Sequence, residues 1–133
     1  MSEDLLTKRA IILRDTIVKL EQRLAQKNYS PTFADHYLLQ LLDKACKACL
    51  ALGNQFVSLQ TQEETKNHPP YIFEKLVENK IIDQALSKRL LSLIAFRKLI
   101  LQAALLKGKH VHLKLTPTHL QDFHTFTQKL LLA

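Results

Sequence analysis

The residue with the clearest chemical potential is an arginine where an apolar residue is expected. Leu86, Leu90, Leu93, Ile100 and Ala104 fall three, four or seven apart, so they draw one stripe along a helix, and Arg97 fills the gap in it. A guanidinium in such a stripe must be paired, exposed at an interface or aimed at a ligand, because an unpaired buried charge is costly. At the edge of the stripe it could instead snorkel to water.

Two other sets of residues are candidates for chemistry. Four of the six histidines, His110, His112, His119 and His124, fall near one another, with His36 and His68 apart from them. His110-x-His112 with His119 and His124 could approach one metal. No Asp or Cys stands at ligand spacing, however, and the basic surroundings repel a cation, so no metal is expected. In the bland reading these histidines add positive charge and phosphate contacts. Cys46 and Cys49 form a C-x-x-C. A structural zinc site would need a second pair, and a thioredoxin-like site would need a βαβ context. Two small buried packing residues are the expected reading. No glycine-rich phosphate loop, G-x-S-x-G, HExxH or paired-carboxylate motif occurs. The carboxylates of the N-terminal segment and of Glu63–Glu64 read as surface charge.

The elements that hold these residues must be helices. The 133 residues include only two glycines and four prolines, too little punctuation for a sandwich or barrel, and they fit one domain spanning 1–133. With 47% hydrophobic residues the chain can bury a core. A first helix is predicted from about Glu3 to Lys27 by Leu6, Ala10, Leu13, Ile17, Leu20 and Leu24, with Ser2 as cap. Ser30-Pro31 opens a second, which runs to about Gln60. One of its stripes is Leu38, Leu42, Ala45, Cys49, Leu52, Phe56 and Leu59; another is Leu39, Cys46, Leu50 and Val57. A helix apolar on two sides is predicted to be central, and Gly53 within it to mark a close helix–helix approach. A polar loop, 61–70, precedes a short helix from about Tyr71 to Asn79. Asp83 caps a fourth helix, which ends near Lys107 at Gly108, and Thr116-Pro117 opens a last one carrying Leu120, Phe123, Phe126 and Leu130. The sum is an all-α, up-and-down bundle of about five helices.

The net charge of +7 is uneven. Between Asp83 and Leu115 the sequence holds Lys88, Arg89, Arg97, Lys98, Lys107, Lys109 and Lys114 against Asp83 alone. Such a stretch suits an anionic partner: nucleic acid, an acidic protein or a membrane surface. It could also be a solvated face that keeps the protein in solution. A membrane surface fits less well, because the basic residues flank a stripe that the bundle needs for its own core. No signal-peptide pattern opens the chain and no apolar run approaches the roughly 20 residues that span a bilayer, so a cytoplasmic protein with reduced thiols is expected.

The segments Ala95-Phe96-Arg97-Lys98-Leu99-Ile100-Leu101 and His119-Leu120-Gln121-Asp122-Phe123-His124-Thr125-Phe126 are similar to the HepT-like branch of the HEPN superfamily. The central helix from Leu42 to Asn54, and Ile81-Ile82-Asp83 followed by Leu86 and Leu90, extend the resemblance from about Ile11 to Leu131. It implies a dimerising helical bundle with a metal-independent, cofactor-free ribonuclease site built on Arg-x-x-x-x-His. In such a site arginine stabilises charge on phosphate and histidine acts as acid and base. It also implies a toxin paired with a minimal nucleotidyltransferase antitoxin, which modifies a tyrosine two residues past the histidine. Arg97 matches the arginine. Gln102 stands at the histidine position, Ala104 at the tyrosine and Lys98 at the asparagine that usually follows the arginine. An acidic feature of the family's second helix is absent where Lys47 and Ala51 stand. Glutamine does not titrate, and loss of a general base typically costs ~10²–10⁴-fold in rate.

Two functions follow from these residues. One is a homodimeric HepT-like toxin-family protein that targets RNA through Arg97, Lys98, Lys107, Lys109 and His110, with Gln102 leaving its cleavage weak or absent. The other is a non-catalytic helical dimer that binds a nucleotidyltransferase-type protein partner without touching RNA.

Overall fold

A computed structural model describes residues 2–25, 36–61, 68–107 and 117–132, with side chains outside 2–4, 36, 60–61, 96, 99–107 and 117. Among these residues the chain forms five helices and no strand: α1 Ser2–Leu24, α2 His36–Thr61, α3 Pro69–Glu78, α4 Gln84–Lys107 and α5 Pro117–Leu132. Each matches a predicted helix. The proposed start of the second at Ser30-Pro31, the stop at Gly108 and the cap at Thr116 lie outside the described residues, and Ser2 stands inside α1 rather than before it.

The apolar periods become the core. Ala10, Leu13, Ile17 and Leu20 of α1 are buried, as are Leu38, Leu42, Ala45, Cys49, Leu52 and Phe56 of α2 and Leu120, Phe123, Phe126 and Leu130 of α5. Leu59 departs from its stripe and is exposed, two residues after the buried Val57 near the end of α2. The second stripe of α2 is also covered at Leu39, Cys46 and Val57. As a result α2 packs against each of the other four helices, the central place that two apolar faces require. Helix α1 packs on α2 and α5, and α4 lies against α3, α5 and α2. Gly53 is the close approach that its position in α2 suggested. A Cβ there would sit 3.0 Å from Ile72 Cγ2 and 3.4 Å from Phe126 Cζ, so α3 and α5 both press on this point of α2.

Helix ends follow local chemistry. Pro69 needs no N–H at the first position of α3, and the Ile72 amide donates to the His68 carbonyl at 3.0 Å to close the first turn. At the far end of α3 the Ile81 amide donates to Leu76 and the Lys80 amide to Val77, a Schellman turn with Lys80 at φ 60°. Asp83 then caps α4 as expected: its Oδ1 accepts from the Leu86 amide at 2.7 Å. Two buried threonines, Thr16 and Thr127, satisfy their hydroxyls by donating to the carbonyls of Ile12 and Phe123 four residues earlier. No helix among the described residues is long and apolar enough to cross a membrane.

Candidate functional site

Helix α4 brings Arg97 to the core's edge. Leu86, Leu90 and Leu93 are buried below it, and the Arg97 side chain keeps 20% of its surface exposed. Its partner is Asp43 of α2, one position after the buried Leu42 and therefore at the border of the apolar face. Arg97 Nη1 donates to Asp43 Oδ1 in a close ion pair across the α2–α4 contact. Lys47, one turn further along α2, reaches back to Asp43 Oδ2 at 2.9 Å. The cluster thus reads Lys47–Asp43–Arg97 with a net charge of +1, and Arg97 Nε is buried with no hydrogen-bond partner among the described residues.

Electrostatics follow from this arrangement. Burial pushes the Asp43 carboxyl up, but the hydrogen bonds and charges of Lys47 and Arg97 outweigh it and hold the group below its ordinary value of 3.8. Asp43 is therefore an anchored anion at neutral pH, unsuited to carrying a proton. It holds the guanidinium in place, which is the arrangement an anion-binding arginine needs if it is not to collapse onto the surface.

The sequence reading missed Asp43. Its attention on the second helix lay at Lys47 and Ala51, one and two turns beyond Asp43. The signal available was weak: an aspartate between Leu42 and Lys44, four residues before a lysine, looks like any solvated i,i+4 pair. Of the alternatives the sequence left open for Arg97, the structure shows the paired one, and it pairs a second residue of the basic stretch as well. Arg97 is spoken for by Asp43, and Arg89 by Asp122 of α5 at 3.0 Å, where the carboxylate side chain is only 9% exposed. Lys98 is exposed. Gln102 and Lys107 lie on α4 with side chains outside the described set, and Lys109 and His110 lie outside the described residues altogether. Five residues on from Arg97, Gln102 stands roughly 140° around the helix and about 7.5 Å along it.

The remaining candidates resolve into structural roles or lie outside the described residues. Cys46 and Cys49 are fully buried free thiols; burial pushes Cys46 up to about 12 and Cys49 well above the ordinary range. They are packing residues, as the sequence indicated, and are protonated at neutral pH. His124 meets Glu21 of α1 at 3.0 Å, and His68 stands at the N-terminus of α3. His110 and His112 lie outside the described residues, and no group of three potential metal ligands occurs among those described.

Comparison with known proteins gives one informative result. No family model and no curated protein matches the chain. Among solved structures it is similar to a chain of the crystal structure of a mutant toxin-antitoxin MntA-HpeT. The TM-score is 0.69 at 16% identity, and the match covers 98% of this chain and 99% of that one. The fold is therefore similar to that of a toxin-antitoxin chain over nearly its whole length, in keeping with the all-α bundle that the resemblance to HepT-like proteins implied.

Proposed function

We propose that this chain is a single-domain, HepT-like member of a toxin–antitoxin pair that engages RNA at Arg97, with Gln102 in place of the histidine that would carry the proton. The observation that supports it most is the arginine itself. In a fold similar to a toxin-antitoxin chain, Arg97 interrupts the apolar stripe of α4 and is fixed by Asp43 of α2. A charge held at the core's edge by a carboxylate from another helix is positioned for work that leucine cannot do.

The division of labour follows from the groups present. Arg97, oriented by Asp43, faces the phosphate and stabilises charge that develops there. Lys98, Lys107, Lys109 and His110 supply sequence-independent attraction to the backbone. Gln102 hydrogen-bonds but takes no proton, so cleavage is weak or absent and the RNA is held more than it is cut. A homodimer places two such sites together. The antitoxin partner, a minimal nucleotidyltransferase in the resemblance, finds no tyrosine at Ala104 to modify.

The test is an RNA-cleavage assay in EDTA on wild type, Gln102→His and Arg97→Ala. The expected result is a silent or slow wild type, and a Gln102→His variant gaining roughly 10²-fold or more that is lost again when Arg97→Ala is added. Arg97-dependent cutting by wild type would mean that Gln102 does not cripple the site and that the chain is a working toxin. If no variant cuts and none binds RNA at low salt, the reading falls and the non-catalytic, partner-binding dimer replaces it.

A further inference from the structure

The outer side of the α1–α2 pair carries a feature that the Arg97 site does not use. A groove of about 420 Å³ runs between the two helices. Its floor is aliphatic: Leu5 and Ile12 from α1, Ala48 and Ala51 from α2. Its walls are cationic: Arg9 from α1, Lys44 and Lys47 from α2, with no carboxylate among the described lining residues. Leu5 is 41% exposed and Ile12 48%, so two large aliphatic side chains about two helical turns apart are open to a partner. Arg9 is half-buried in this wall, its Nε turned away from solvent with no hydrogen-bond partner among the described residues.

We infer that this groove docks an acidic amphipathic helix of a partner protein, its apolar side on Leu5, Ile12, Ala48 and Ala51 and its carboxylates on Arg9 and Lys44. The inference does not depend on RNA binding at Arg97. Charge complementarity selects the occupant. A second copy related by a two-fold axis would lay Arg9, Lys44 and Lys47 against the same three cations, which repel one another. A single-stranded nucleic acid would meet the cations but find no aromatic ring on which to stack. A helix with leucines at i, i+3, i+4 and i+7 and glutamates flanking them satisfies both the floor and the walls. Small alanines on the α2 side let such a helix approach closely.

The occupant also touches the Arg97 site through a shared residue. Lys47 lines the groove and pairs with Asp43. A carboxylate seated in the groove competes with Asp43 for that lysine, so partner binding and the electrostatics of Arg97 are joined by one side chain.

The experiment is a selection of phage-displayed, helix-length random peptides on the full chain, followed by titration of the enriched peptide carrying a fluorescent label. The expected result is enrichment of acidic amphipathic sequences. Their affinity should fall roughly tenfold or more in an Arg9→Gln/Lys44→Gln variant, and when the glutamates of the peptide become glutamines. Ile12→Lys should abolish binding, with circular dichroism confirming that the exposed substitution leaves the fold intact. Lys47 is kept because it also holds Asp43. Enrichment of neutral or basic peptides, or of none, overturns the proposal. So does self-association lost in Ile12→Lys, which would give the groove to a second copy. RNA binding lost in Arg9→Gln/Lys44→Gln would give it to nucleic acid and overturn the proposal equally.

Discussion

Arg97 and Asp43 show how differently two halves of one ion pair advertise themselves. A charge inside an apolar stripe violates the pattern around it, so Arg97 is conspicuous from sequence alone. Asp43 violates nothing, and its partner lies 54 residues away, a relation that exists only once α2 and α4 are packed. Energetically the pair is intermediate, with side chains 20% and 25% exposed, so it lies between a surface bridge worth little and a buried one that is costly to break. Asp43→Asn leaves the mostly desolvated Arg97 with a neutral acceptor and is expected to lower stability by about 1–2 kcal/mol. Because the folded-state carboxyl is held below 3.8, the pair's contribution is present above that value and is lost as pH falls through the lowered one. Urea unfolding of both proteins should therefore show a gap that is full at neutral pH and closes in acid. A gap independent of pH would mean that the substitution acts through packing instead of charge.

Helices were the most legible level. The periods of α1, α2 and α5 named the buried residues almost without error, since a bundle core is what a 3.6-residue apolar stripe produces. Caps built from side chains were legible too, Asp83 being the example. The end of α3 was placed within a residue, near Asn79, but its Schellman turn was not read, because it is closed by backbone bonds and carries a lysine where glycine is the usual sign. Lys80 holds φ 60°, a conformation that costs an L-residue about 1–2 kcal/mol, while glycine gives back about 0.5–1 kcal/mol through the entropy of its unfolded chain. Lys80→Gly should thus stabilise the protein by about 0.5–1 kcal/mol, read as a higher urea midpoint with an unchanged slope. A loss of stability would show that the aliphatic stem of Lys80 contributes more by packing than its backbone gives up.

At the scale of the whole molecule, the bundle redistributes the charge that the sequence displayed as one block. Of the basic side chains described between positions 83 and 98, Arg89 is drawn to Asp122 of α5 and Arg97 to Asp43 of α2, so two cations serve helix–helix contacts while Lys98 stays exposed. Counting charges along the chain therefore overstates what an anion meets, and it also hides a distinction that RNA binding can read. Neutralising about four phosphates of a single strand gives a slope near −3 in log affinity against log salt, or roughly fifty-fold weaker binding for a fourfold rise in salt. Lys98→Ala should lower that slope by about 0.7, the signature of one lost phosphate contact, with little change in stability. Arg89→Ala should leave the slope nearly unchanged and instead loosen α4 from α5, because its charge is already answered by a carboxylate that would be left with little exposure and no partner. Equal slopes for both variants and wild type would place the phosphate contacts elsewhere in the basic stretch. The reverse pattern, with Arg89 controlling the slope, would mean that RNA displaces Asp122 and that α5 moves when the nucleic acid binds.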